Sequence, residues 1–343
     1  MKPRIAMVLG DPAGIGPELI AKLLSEELVR SEAEILLIAD KNEVEEGMRV
    51  AGCRFEYRSI QSLDNLPFGD VPLLYDFRGS SSGAFVRKQT SVVGGRYSLD
   101  TLKVALDLTT SGKTDAILFA PLNKTSLHLG GMTCSDELHW FAEQIGYTGT
   151  VCEINVMDDI WTSRVTSHMA LKDVPQLITQ ERVIEAIRLI DSALKQSGKE
   201  RPRIAVCGFN PHCGDNGNFG REEIDVIAPA VAKAQAAGFA AEGPFPADTI
   251  FLKVQGDRHE YDAVVTMYHD QGQIAIKLMG FSRGVSVQGG LPIPIATPAH
   301  GTAFDIASQG VANVGATLQA FKMACRMGKT RRLSNSANQA AAN

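Results

Sequence analysis

Three histidines stand where short apolar runs give way to turns. His212 lies in GFNPHCGD after the run RIAVC, His168 in RVTSHMALKDVP after a β-like stretch, and His269 in VVTMYHDQG directly after another, with Asp270, Gln271 and Gly272 completing a tight loop. In parallel α/β sheets ligands bind at the carboxyl ends of strands, so imidazoles at three such ends can converge. Neutral imidazoles hold borderline divalent ions such as zinc, cobalt, nickel or manganese and leave coordination positions open for substrate oxygens. Each histidine can equally do no more than hydrogen-bond its own loop, and their separation matches no local metal motif such as HExxH. The neighbours speak for a site: Asn210 and Asp270 are placed to orient an imidazole from behind, and the succession in YHDQG exceeds what packing requires.

Two glycine-bearing loops offer a second kind of chemistry. GDPAGIGPEL (10–19) ends a strand and opens a helix, with Pro17 suited to the first turn and Glu18 to its positive end. The order of strand, glycines, helix and strand EILLIAD with terminal Asp40 resembles a dinucleotide fingerprint. However, Leu19 stands where the third glycine belongs, so no nucleotide is expected there. In TPAHGTAFDIASQGVAN (297–313), His300, Gly301 and Thr302 precede a helix-like AFDIA. Amides and a hydroxyl at that helix start can face a phosphate or an adenine ring; a tight turn capped by threonine fits the residues as well.

The elements that must position these loops alternate along the chain. IAMVLG (5–10) and EILLIAD (34–40) flank a helix-like PELIAKLLSEEL, and AILFA (116–120) follows an amphipathic segment in which Leu99, Leu102 and Leu106 share a face. Val183, Ile187, Ile190 and Leu194 recur at helical spacing before a capping Gly198. Strand RIAVC, helix EEIDVIAPAVAKAQAAG and strand YDAVVTMY follow. The fold class expected is α/β with a mostly parallel sheet.

With 343 residues, 44% apolar and 21% charged, the chain is long enough for two domains sharing a cleft. A net charge of -5 and no long Lys/Arg block exclude nucleic acid and membrane surfaces as expected partners and point to a small-molecule substrate. The apolar run in MKPRIAMVLGDP is too short for a signal-peptide core, and no window approaches the roughly 20 apolar residues of a membrane span. Cys53, Cys134, Cys152, Cys207, Cys213 and Cys325 are scattered without a CxxC pair, which suits reduced thiols in a cytoplasm. GSSSG (79–83) reads as a surface loop and residues 330–343 as a disordered tail.

Several segments together resemble the PdxA family: GDPAGIGPE (10–18), APLNK (120–124), GFNPHCGDNGNFGREEID (208–225), GPFPADTIF (243–251), YHDQGQIAIK (268–277) and GLPIPIATPAHGTAFDIA (290–307). The first and last also resemble isopropylmalate and isocitrate dehydrogenases. The resemblance implies two α/β/α domains with a central cleft, one formed by residues 1–130 with 305–343 and the other by 131–304. It also implies a homodimer with shared active sites, and one divalent ion (Zn, Mn, Co, Ni or Mg) on His168, His212 and His269 with ligands contributed across the dimer. NAD is then expected against His300, Gly301, Thr302 and Asp305. Lys277 matches a substrate-binding lysine of the family, and Asp248 in PADT is the candidate for proton transfer, or else a loop acid. Lys124 is a site cation or a solvated lysine at a helix start.

Departures from the family pattern shape the expected substrate. Ser135 and Asp136 stand where family members carry His-Thr, Ser286 replaces an asparagine, and Ile295 replaces an arginine. Losing that guanidinium removes the bidentate donor best suited to phosphate or carboxylate. The expected activity is therefore metal-dependent, NAD-linked dehydrogenation, with decarboxylation, of a non-phosphorylated hydroxy acid or a cis-dihydrodiol carboxylate such as that of terephthalate. The alternatives are the family's own oxidation of hydroxythreonine phosphate and, in another class, phosphate-binding acyl transfer.

Overall fold

The computed structural model describes residues 1–255 and 260–342. Numbered along the chain, its strands are β1 (Arg4–Val8), β2 (Glu34–Ala39), β3 (Arg58–Ile60), β4 (Leu73–Asp76), β5 (Ala116–Phe119), β6 (Cys152–Met157), β7 (Ile160–Arg164), β8 (Ile204–Cys207), β9 (Ala241–Phe245), β10 (Ala263–Thr266), β11 (Val285–Gly289) and β12 (Ile295–Pro298). Two compact units divide them: Met1–Thr148 with Leu291–Asn343, and Gly149–Gly290.

In the first unit the strand order is β3-β4-β2-β1-β5-β12, parallel throughout. Buried on both faces, β1 and β5 are continuous apolar runs rather than alternating ones, as a helix-covered parallel sheet requires. In the second unit the order is β11-β6-β7-β10-β8-β9. There β6 runs antiparallel to both β11 and β7, while β7, β10, β8 and β9 pair in parallel, so the sheet is mixed but mostly parallel, as expected. The α/β class stands.

The unit boundaries differ from those expected at 130 and 305. The helix Glu137–Gln144 places Phe141 against Phe119 of β5, ring centroids 5.9 Å apart, and β12 pairs Ile295 with Ile117. Aromatic packing and a strand ladder thus tie 131–148 and 291–304 to the first unit. The segment 330–342, expected to be disordered, completes the helix Gly315–Ala342. Arg331 donates to the carbonyls of Thr109, Thr114 and Asp115, and Arg332 to that of Lys2. Cations on backbone carbonyls anchor what composition alone reads as loose. Among the described residues no helix is long and apolar enough to cross a membrane.

Candidate active site

In the second unit, β7 and β10 are parallel neighbours, and their pairing continues past both strand ends. Val165 N donates to Thr266 O at 2.9 Å and Thr166 N to Met267 O at 3.1 Å. His168 and His269 consequently emerge side by side, ring centroids 5.4 Å apart. Two imidazoles sharing one ion at bond lengths of about 2.0–2.1 Å have centroids about 5 Å apart, close to the spacing of this pair. His269 Nδ1 lies 2.7 Å from Asp270 Oδ1; donation to that carboxylate fixes the tautomer in which Nε2 is an acceptor.

His269 opens a helix, His269–Gly280, instead of sitting in a tight loop. Gln271 makes that possible: its Oε1 accepts from Met267 N at 2.7 Å, and its Nε2 donates to Gly208 O at 2.9 Å, bracketing the ends of β10 and β8. Positions 269, 273 and 277 share one helix face, so exposed Lys277 stands about 12 Å along the helix from His269.

His212 follows β8 in an unusual backbone. His212, Cys213, Gly214, Asp215 and Asn216 have φ of 55°, 54°, 77°, 43° and 56°, a left-handed turn that costs roughly 1–2 kcal/mol at each non-glycine residue. The His212 ring lies 6.5 Å from that of Phe219. Among the described residues no three His, Cys, Asp or Glu side chains gather around one point, so a single chain brings together two of the three histidines. Asn210 donates its Nδ2 to Glu222 and Glu223, which fastens the loop. Asp248 is exposed in the turn after β9; after burial and Glu223, its charge helps push the Cys213 thiol up, which places it beside the same loop.

Ser286, on β11, is buried, donates to Glu153 Oε1 at 2.7 Å and accepts from Asn155 Nδ2 at 3.3 Å. Arg164 completes that network on Asn155 Oδ1 at 2.8 Å and Glu153 Oε2 at 3.0 Å. Burial would raise the Glu153 carboxyl, but Arg164 and Ser286 hold it below its ordinary value. Spacing did not reveal this network, because its members are remote in sequence.

In the first unit the two glycine-bearing loops are one structure. Ile15 N donates to Thr302 O at 3.1 Å, and a Cβ on Gly14 would lie 2.7 Å from Thr302 Cβ. The two loops therefore stand together, although only the second was expected to face a nucleotide. Residues 304–308 form turns rather than a helix, with Ala303 at φ 43° and Ser308 at φ 64°. The helix that starts beside Thr302 is Gly16–Ser25. Gly301 faces open space and Asp305 is exposed, while His300 Nδ1 lies 3.0 Å from Gly301 O. Asp11, which sequence reading passed over, is buried with Oδ1 on Ala13 N at 2.8 Å and Oδ2 unpartnered; burial raises its carboxyl above the ordinary range.

Of the three remaining substrate candidates, all in this unit, Ser135 and Asp136 have local roles. Asp136 caps the helix Glu137–Gln144, accepting from His139 N at 2.9 Å and lying 2.6 Å from His139 Nδ1, and Ser135 Oγ donates to Asp136 at 3.3 Å. Burial alone would raise the Asp136 carboxyl, but His139 and Lys124 hold it below its ordinary value. Ile295 is wholly buried in β12 against β5.

Residues 31–324 match the family described as pyridoxal phosphate biosynthetic protein PdxA. The chain belongs to the PdxA family. It is 70% identical over 95% of its length, and 97% of the relative's, to a putative 4-hydroxythreonine-4-phosphate dehydrogenase 2 of Pseudomonas aeruginosa. Identity is 37% over 96% of this chain, and 98% of the relative's, to a D-threonate 4-phosphate dehydrogenase of Cupriavidus necator. The solved structure of a putative 4-hydroxythreonine-4-phosphate dehydrogenase of Salmonella typhimurium matches with TM-score 0.84 and 34% identity, covering 95% of this chain and 100% of that one. This PdxA-family chain is accordingly a dehydrogenase acting on a CH–OH group.

The expected preference for a non-phosphorylated dihydrodiol acid is not supported. A terephthalate 1,2-cis-dihydrodiol dehydrogenase of Burkholderia xenovorans aligns with only 26% identity and TM-score 0.67, covering 95% of this chain and 98% of that one. Ile295 itself packs wholly into the core of the first unit. For Asp136, replacement by alanine in this PdxA-family chain is expected to cost about 1 kcal/mol at neutral pH through the lost cap. Because the folded carboxyl is held below its ordinary value, the contribution is complete at pH well above the ordinary carboxylate range and is lost as pH falls through and below that range. Denaturant midpoints of the two proteins at pH 7 and pH 3 measure the difference, which should shrink at the lower pH.

Proposed function

We propose that the protein oxidises a phosphorylated hydroxy acid of the hydroxythreonine phosphate or threonate phosphate kind with NAD and a divalent ion. The carrying observation is the adjacent pair His168 and His269, with Lys277 on the same helix face as His269. His168, His212 and His269 would hold the ion, with contributions across a homodimer contact. Exposed Met169, Phe219 and Ile274 lie within seven residues of His168, His212 and His269 respectively, an apolar margin suited to a second copy of the chain.

A divalent ion bound there supplies Lewis acidity toward substrate oxygens. Asp270 keeps the His269 ring oriented. The Lys277 ammonium offers a point charge to the substrate's phosphate or carboxylate. Asp248, exposed beside the His212 loop, would take the proton from the substrate hydroxyl oxygen; NAD, when bound, would supply the hydride acceptor for the carbon bearing that hydroxyl. Where that hydroxyl is β to a carboxylate, as on the threonine skeleton, the product is a β-keto acid and carbon dioxide is lost from it. NAD would lie on the joined loops at Gly14 and Thr302, with His300 and Gly301 along its edge and the carboxylate of Asp305 toward a ribose hydroxyl. Free thiols at all six cysteines agree with a cytoplasmic setting.

Threonate 4-phosphate, hydroxythreonine 4-phosphate and the terephthalate dihydrodiol, each assayed for NADH absorbance with manganese and again with chelator, test this reading. Turnover of a phosphorylated acid that chelation abolishes is expected. Turnover of the dihydrodiol alone, or indifference to chelation, would overturn it.

A further inference from the structure

Five consecutive left-handed residues, four of them not glycine, do not persist without something that holds them, and the loop carrying His212 is closed on one buried side chain. Glu223 is 2% exposed. Its Oε1 accepts from Phe209 N at 2.7 Å and from Asn210 N at 2.6 Å, and its Oε2 accepts from Asn210 Nδ2 at 2.9 Å. Two backbone amides meeting on one carboxylate oxygen are charge-assisted bonds, stronger than those between neutral partners. The backbone wraps the carboxylate so tightly that a Cβ on Gly208 would lie 3.1 Å from Oε1 and one on Gly214 2.9 Å from Oε2. Glycine at both places lets the chain close around the acid. Glu222 takes the other hydrogen of the Asn210 amide at 2.6 Å, so the two neighbouring acids grip Asn210 together.

We propose that Glu223 is a positioning residue, whose carboxylate holds residues 208–216 in the conformation that offers His212 as a ligand. The inference rests on the reading of His212 as an ion ligand. Glu223 itself touches neither ion nor substrate; it acts through the backbone on which His212 is mounted. An amide in its place cannot reproduce the arrangement, because one of its two heavy atoms becomes a donor facing donors.

The test compares E223Q and H212A with the unaltered protein. Manganese affinity is measured by equilibrium dialysis, amide hydrogen exchange is followed across residues 208–218, and turnover is measured over a range of manganese concentrations. E223Q is expected to bind manganese about 10–100-fold more weakly, to exchange faster in that segment, and to regain turnover at saturating manganese. That rescue separates a positioning role from general loss of structure. Unchanged affinity and exchange in E223Q, with H212A impaired, would overturn the positioning role alone. Unchanged affinity in H212A would remove the ligand reading and the proposal with it. Should E223Q not fold, E223D, which keeps the charge but shortens its reach, is judged by the same three measurements.

Discussion

Replacing His269 with alanine is expected to lower turnover by about a thousandfold while leaving the protein folded. A divalent ion acting on substrate oxygens is worth several kcal/mol at the transition state, and about 4 kcal/mol corresponds to that factor. His269 is only partly buried, so little packing is lost with its ring. His168 should behave alike, because the pairing of the segments after β7 and β10 brings both rings to the same point. Asp270 acts through His269, so its replacement by asparagine should weaken ion affinity by a smaller factor, about 10–100-fold. Turnover and manganese affinity measured on the three variants order them. Full activity in the His269 variant would mean that the imidazole only completes its loop.

The largest structural effect is expected from Gly95→Ala. The helix Val92–Thr110 crosses the short helix Lys124–Leu129 at Gly95 and Gly130, where a Cβ on Gly95 would lie 1.6 Å from Ser126 O and one on Gly130 2.4 Å from Gly95 C. Both obstacles are backbone, so no side-chain rotation relieves them and the helices must separate. Overpacking costs 1–3 kcal/mol in ordinary cores, and without a yielding partner about 3 kcal/mol or more is expected. Melting should fall by several degrees. The movement would also disturb the APLNK loop, because Asn123 caps the short helix through Ser126 N at 2.9 Å. Calorimetry of the alanine variant decides; a melting temperature within a degree of the parent would show that the crossing gives way.

Much of this was legible in the residues themselves. Apolar runs ending in Gly, Asp, His or Asn marked the carboxyl ends of β1, β5, β8 and β10, because a buried strand has to be apolar and a ligand-bearing loop cannot be. Motif order carried the family, since NPH, PADT and YHDQG each state a local chemical arrangement within a few residues. Period and capping residues located the long helices, including Gly198, which adopts φ 95° just past Gln180–Gln196.

What only the tertiary structure decided concerns residues far apart in the chain. Ile295 could be taken for a lost phosphate anchor until its pairing with Ile117 placed it in the core. The joining of Gly14 to Thr302, and the gathering of Glu153, Asn155, Arg164 and Ser286, depend on strand order and register, which no local pattern encodes. The left-handed course at His212 likewise depends on Glu223, more than ten residues away, whose carboxylate is an ordinary surface acid as a letter and a buried clamp only once the loop has closed around it. Sequence by itself determined which chemistry the chain carries at its strand ends. Folding decided which of those groups meet, because side-chain contact is set by the packing of distant backbone segments and not by their spacing along the chain.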